Sequence, residues 1–172
     1  SKVVLMPGGP LDPDAVWRTV GAESVNLLTV VGDAVARPLL DAWDRAVAEG
    51  RPYDISSLYS ISNGGAPMAP TTRERIFATL PQLIVTDGFG SSEAGTQGAM
   101  RVEPGGRRGD AKLVRFDQPT KPTIVVGPDG REVEPGSGQV GQVLAGGHLP
   151  LGYYNDPEKT AATFVERDGR RW

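Results

Sequence analysis

Up to about residue 95, short apolar runs alternate with stretches in which apolar residues recur every three or four positions. The runs read as strands and the periodic stretches as amphipathic helices. Lys2–Met6 is the first run, with β-branched residues. A helix is expected from Pro13, burying Val16, Trp17 and Val20, with Asp12 as its cap. Val25–Val31 is a buried strand, ended by Gly32. Val35, Leu39, Leu40, Trp43, Ala46 and Val47 then fall at helical spacing, which predicts a helix over about Ala34–Ala48. Asp33 would cap it, and Pro38 is tolerable near its first turn. Leu58–Ser62 is a further strand, closed by Asn63-Gly64-Gly65. Pro70 opens a helix to about Thr79, with Ile76, Phe77 and Leu80 on its buried face. Leu83–Thr86 is the last strand of the series, followed by a Gly-rich turn over Gly88–Gly95.

From about residue 96 the pattern shortens. Lys112–Arg115, Pro122–Val126, Arg131–Glu134 and Gly138–Leu144 are strand candidates, with a turn at Pro128-Asp129-Gly130. Asp156 caps a short helix near Pro157–Phe164, and Asp168-Gly169 reads as a turn. Composition follows the same division. The first hundred residues hold 11 Gly and 8 Pro, and the next fifty hold 10 and 6. The expected fold class is α/β: parallel-type strand-helix layers over 1–95, then a β-rich, barrel-like part with a short helical tail over 96–172. Strands separated by helices favour parallel pairing, and ligands then bind beyond the carboxyl ends of the strands. Trp172 directly follows a turn, so the chain reads as part of a larger domain.

The 172 residues suffice for one hydrophobic core. A net charge of −3 gives no basic footprint for nucleic acid. No apolar run is long enough for a transmembrane segment, and no leader pattern is present, so a cytoplasmic protein is expected. The absence of Cys excludes disulfides and thiolate chemistry, and a single His excludes a His-rich zinc site.

Chemistry concentrates in two Gly-rich segments that each follow a strand, Ser62–Pro67 and Asp87–Gly95. Glycine there lets a backbone approach a ligand, and exposed N–H groups can receive an anion. Serine hydroxyls can donate to phosphate oxygens, Glu93 could hold Mg²⁺, and Phe89 offers a flat face to a base. The plainer alternative is a pair of tight turns with capping serines. Neither segment is a Walker loop or a GxGxxG fingerprint.

Four motifs in order carry a resemblance. They are Asn63-Gly-Gly-Ala-Pro67, Gly88-Phe-Gly-Ser-Ser-Glu93, Gly141-Gln-Val-Leu and Leu151-Gly-Tyr-Tyr-Asn-Asp-Pro-Glu-Lys-Thr160. Together they resemble the adenylate-forming superfamily of acyl-CoA synthetases, adenylation domains and luciferases, nearest to bacterial fatty-acyl-CoA synthetases. The resemblance implies that Gly64, Gly65 and Ala66 line the adenylate and acyl pocket. It implies that Asp87, Gly88, Phe89 and Gly90 meet the adenine, that Ser92 meets phosphate, and that Glu93 is the Mg²⁺-linked glutamate. Ser92 and Glu93 are thus the catalytic candidates. Val31-Gly32-Asp33 falls where the family often has a Pro-Thr pair near the acyl tunnel. Phe89 stands for the usual Tyr or Trp, and Ser92 for the usual Thr. The implied reaction joins a carboxylic acid, by the same resemblance a fatty or similarly apolar one, to ATP as acyl-AMP and then to CoA. The family's phosphate loop, ribose-binding Asp, hinge and C-terminal domain are not in this sequence. The chain is therefore expected to be a fragment of the large N-terminal domain, lacking parts of its parent on both sides and inactive alone.

Two other classes compete. Gly90-Ser91-Ser92-Glu93-Ala94 approaches a nucleophile elbow, which would need Ser92, Asp129 and His148 as a hydrolase triad. A non-catalytic interaction module would use exposed strand edges. Trp17 and Trp43 read as core, Tyr153 and Tyr154 as divided between packing and surface, and Arg107-Arg108 and Arg170-Arg171 as solvated pairs.

Overall fold

The computed structural model describes residues 2–102 and 121–172. They fall into two compact units, one of residues 2–88 and 100–102, the other of residues 89–99 and 121–172.

The first unit alternates helix and strand: α1 (Pro13–Ala22), β1 (Leu27–Val30), α2 (Gly32–Ala48), β2 (Ser60–Asn63), α3 (Pro70–Thr79), then β3 (Ile84–Ser91) and β4 (Gly95–Val102), which both continue into the second. Sheet order is β1-β2-β3-β4. β1, β2 and β3 are parallel, as the strand-helix alternation requires. α1 starts at Pro13 because Asp12 Oδ1 accepts from the Ala15 N–H at 3.0 Å. The helices bury Val16, Trp17, Val20, Leu39, Leu40, Ile76 and Leu80 against Val30, Ile61 and Val85 of the strands. Each fully buried side chain of this size contributes about 1.5–3 kcal/mol. Trp17 packs edge-on to Trp43, with ring centroids 5.6 Å apart. Its indole N–H donates to the Leu39 carbonyl at 2.8 Å, so Trp17 is core as expected, and Trp43 is a partly buried residue packed against that core.

The second unit contains the tip of the β3–β4 hairpin, a ribbon of β5 (Thr123–Val126) with β6 (Gln142–Ala145), α4 (Pro157–Thr163), and a small hairpin of β7 (Glu166–Arg167) with β8 (Arg170–Arg171). Both ribbons are antiparallel. Asp168 and Gly169 both have positive φ, which gives the two-residue turn the twist its strands need. Asp156 caps α4 by accepting from the Lys159 N–H at 2.9 Å. Among the described residues these strands close no barrel.

The sequence expectations need five corrections. Lys2–Met6 is not a strand: Val3 and Leu5 are exposed and pair with no strand among the described residues. Asp33 is not the cap of α2, because the helix already begins at Gly32. β2 is displaced to Ser60–Asn63, so Asn63 is a strand residue and not a turn former. β3 runs on through Gly88 and Gly90, and the turn shrinks to Ser92-Glu93-Ala94. Arg131–Glu134 forms a single bridge from Glu132 to Val126. Lys112–Arg115 and Arg107-Arg108 lie outside the described residues. No helix among the described residues is long and apolar enough to cross a membrane.

Candidate functional site

In the first unit the site is built at the carboxyl ends of three parallel strands. Register places Val30 beside Asn63 and Asn63 beside Asp87. Asn63 uses its whole amide. Its Oδ1 accepts from the Gly32 N–H at 2.8 Å, and its Nδ2 donates to Ala66 O at 3.1 Å and to Asp87 Oδ1 at 2.8 Å. It thus caps α2 from another strand, where Asp33 was expected to do so from within the chain. Gly32 has φ +57°, and a Cβ there would come within 2.7 Å of Pro67 O and 2.9 Å of Ala66 Cβ. Only glycine lets the loop after β2 lie on the start of α2.

Arg73 of α3 completes the cluster. Its Nη2 lies 2.8 Å from Asp87 Oδ2, and both side chains are largely buried, 16% and 4% exposed. Asp33 serves the same loop farther along. Its Oδ1 accepts from the Ala69 N–H at 2.9 Å, and its other oxygen pairs with Arg37 at 2.9 Å. Burial pushes the Asp33 carboxyl upward, but the Ala69 N–H, Thr72 and Arg37 outweigh it and hold the group below its ordinary value. Gly64, Gly65 and Ala66 therefore lie on a backbone fixed at both ends. Of the two glycines, Gly65, with φ +75°, needs glycine for its backbone. Gly64 does not, since a Cβ there would stay 3.8 Å from Gly88 O.

The second unit holds Phe89, Gly90, Ser92 and Glu93 at the hairpin tip. A Cβ on Gly90 would come within 2.4 Å of Gly95 O, so glycine is needed for the strands to approach. Phe89 is 41% exposed and Ser92 is exposed. Ser91 Oγ accepts from the Ala94 N–H at 3.1 Å, which tightens the turn. Lys121 Nζ donates to Ala94 O at 2.5 Å. Glu93 is held by Tyr153, whose hydroxyl donates to Oε1 at 2.5 Å. That bond, then the Glu93 N–H, Ser91 and Lys159, keeps the Glu93 carboxyl below its ordinary value. The same carboxylate holds the Tyr153 hydroxyl above its own.

The tail motif explains the placement of Tyr153. Gly152 sits against Thr160, where a Cβ would come within 2.6 Å of Cγ2. Thr160 Oγ1 accepts from the Tyr153 N–H at 2.9 Å and donates to Asp156 O at 2.7 Å. Lys159 Nζ stands 4.1 Å from the Tyr153 ring centroid. Arg171 is not a merely solvated residue: its guanidinium lies 4.4 Å over Phe164, and it donates to Leu151 O at 2.8 Å.

The structure thus joins Asn63, Ala66 and Asp87 in one unit, and Glu93 with Tyr153 in the other. Asn63, Arg73 and Tyr153 were not among the predicted site residues. Arg73 had a signal in the sequence, since it lies three, four and seven positions before Ile76, Phe77 and Leu80 and shares their buried face. The triad fails geometrically. Asp129 Oδ1 accepts from its own turn's Arg131 N–H at 3.0 Å. Ser92 and His148 are exposed, and no hydrogen bond joins either to the other or to Asp129 among the described residues.

Residues 1–154 match a family model described as AMP-binding enzyme. The chain is 40% identical over 172 residues to a 3-oxocholest-4-en-26-oate–CoA ligase of Rhodococcus rhodochrous, covering 99% of this chain and 30% of that protein. It is 42% identical over 159 residues to a medium/long-chain-fatty-acid–CoA/3-oxocholest-4-en-26-oate–CoA ligase of Mycobacterium tuberculosis, covering 92% and 28%. The chain therefore spans about 30% of the length of these curated relatives. Among solved structures it resembles CmiS6 with TM-score 0.74 and 21% identity over 93% of this chain and 38% of that one. It also resembles PA1221, an NRPS protein containing adenylation and PCP domains, with TM-score 0.70 and 23% identity over 95% and 32%. At such identities the likeness is one of fold.

Proposed function

This chain belongs to the AMP-binding enzyme family, and on that premise we propose that it is a segment of an ATP-dependent acyl-CoA synthetase, residues 1–95 and 96–172 being two parts of one nucleotide-binding domain. The observation that carries the proposal is the Asn63–Asp87 hydrogen bond. It couples the two Gly-rich segments at the strand ends where ligands of parallel sheets bind. In this reading the parent joins a carboxylic acid to AMP, with loss of pyrophosphate, and passes the acyl group to CoA. A fatty acyl substrate and a cytoplasmic location belong to the same proposal.

The residue roles belong to the same proposal. Gly64, Gly65 and Ala66 present a fixed backbone to the adenylate. Asp87, Gly88, Phe89 and Gly90 form the adenine-side stretch, with the Phe89 ring for stacking. Ser92 offers a hydroxyl to phosphate. Among the described residues no three acidic or histidine side chains cluster as a metal cage. Glu93 is a lone carboxylate, half-buried and kept ionised, and so fits Mg²⁺, which takes most of its ligands from phosphate and water. When bound there, Mg²⁺ would supply neutralisation of phosphate charge. Tyr153 holds Oε1 and so fixes the direction of the carboxylate.

The test is titration calorimetry of the 172-residue chain with a non-hydrolysable acyl-adenylate analogue, with and without Mg²⁺. Saturable binding, weakened about tenfold by Phe89→Ala through lost stacking, is the expected outcome. No binding to wild type at millimolar analogue would sink the proposal that the pocket resides in this chain.

A further inference from the structure

The Arg73–Asp87 pair has no ready energetic account. Removing two charges from water costs several kcal/mol, and a buried pair is often no better for stability than apolar side chains of the same volume. Here the cost is higher still, because Arg73 Nε and Asp87 Oδ2 are both buried with no hydrogen-bond partner among the described residues, so the 2.8 Å contact is an ion pair and not an aligned hydrogen bond. The pair instead fixes a direction. Asp87 can receive the Asn63 Nδ2 on Oδ1 because Arg73 holds Oδ2 on its other side. With its Nδ2 so aimed, Asn63 turns Oδ1 to the Gly32 N–H and holds the Ala66 carbonyl. A chain of named contacts thus runs from α3, through β3 and β2, to the loop over the start of α2.

We propose that Arg73 is a positioning residue for the Gly64–Ala66 loop, acting through Asp87 and Asn63. Its bearing on nucleotide affinity rests on the reading of that loop as adenylate-lining. A short buried ion pair suits this task because the attraction between the two charges is little screened there. Without the guanidinium, Asp87 is a buried carboxylate without its counter-charge, and it must turn toward water. That turn releases Asn63, and with it the anchor of Ala66. The loop's other ties, the Gly64 N–H on the Val30 carbonyl at 3.2 Å and Asp33 on the Ala69 N–H, do not engage the Ala66 carbonyl that Asn63 holds.

The experiment uses four forms of the 172-residue chain: wild type, Arg73→Lys, Arg73→Met, and Arg73→Met with Asp87→Asn. Amide exchange at Gly65 and Ala66 is read against the Leu40 amide in the core, and AMP affinity is read by calorimetry. Arg73→Met is expected to speed loop exchange relative to Leu40 about tenfold and to weaken AMP about tenfold, because removing one partner leaves an uncompensated buried charge. Arg73→Lys should recover most of both. The double variant removes the stranded carboxylate, so its thermal midpoint should return toward wild type while loop exchange stays fast and binding weak. A purely structural pair would behave differently. Loop and core exchange would then change together in Arg73→Met, which would overturn the proposal. Loop exchange that follows the expected pattern in a wild-type chain that does not bind AMP would support the positioning and overturn the adenylate reading of Gly64–Ala66.

Discussion

Tyr153 meets Glu93 through one hydroxyl, and the pair makes the carboxylate easier to keep charged than an exposed glutamate. The ordinary Glu93 value would be 4.5, and the folded value lies below it. The contribution of Glu93 is therefore complete above the unfolded value and is lost as pH falls through the folded one. Tyr153 has the opposite sign. Its folded value is raised above 10.0, so its contribution holds at lower pH and is lost as pH rises through that value. Tyr153→Phe should move the Glu93 carboxyl back toward 4.5, read from its side-chain carbon shift in an NMR titration. An unmoved titration would show that the hydroxyl does not hold the charge. At this scale the sequence showed types better than partners. Glu93 and Asp87 could be picked out as carboxylates in Gly-rich segments. That Glu93 meets a tyrosine sixty residues later was not visible, because the contact depends on how the tail folds back.

Elements were legible where periodicity was strong. Every described helix was expected, and α1 and α4 start at the Pro residues and Asp caps seen in the sequence. The hairpin of β3 and β4 was not. Gly88, Gly90 and Gly95 suggested a loose turn, whereas in the fold Gly90 lets two strands lie against each other. The alternation of buried Val85 and Asp87 already pointed to strand beyond Thr86, but a buried aspartate looks polar until its Arg73 partner is known. Gly90→Ala must push the Gly95 carbonyl away and should cost about 1–3 kcal/mol by chemical denaturation. Gly64→Ala, where the nearest atom would be 3.8 Å away, should cost far less. Equal losses at the two sites would refute the steric account of the hairpin.

Across the whole molecule, burial is uneven. The largest fully buried side chains, Trp17, Leu40, Ile76, Leu80, Val20, Val30 and Val85, all belong to the first unit. Among the described residues, the buried apolar ones of the second are Ala94, Leu144 and Ala145. Local opening follows such differences in buried apolar contact. Amides of β2 and the first half of β3 should therefore exchange last, and those of β5 and β6 markedly sooner. One uniform protection level would mean that the chain opens as a single cooperative body. The α/β half was readable because each helix declares its buried stripe. The β-rich half was harder, since a ribbon of four-residue strands is defined by its pairing and hardly by its own pattern.

Asn63 is followed by glycine, the neighbour that most exposes an asparagine amide to attack by the next backbone nitrogen and to slow conversion to aspartate. The fold restrains both reactants. The amide is tied to Gly32, Ala66 and Asp87, while the Gly64 nitrogen donates to the Val30 carbonyl at 3.2 Å. The same bonds that shape the loop therefore act as a chemical preservative. Where they open, the bond between Asn63 and Gly64 begins to age, and the resulting carboxylate would face Asp87 with the wrong charge. Deamidation at this one dipeptide is thus a molecular clock that runs only while the strand ends are unfastened.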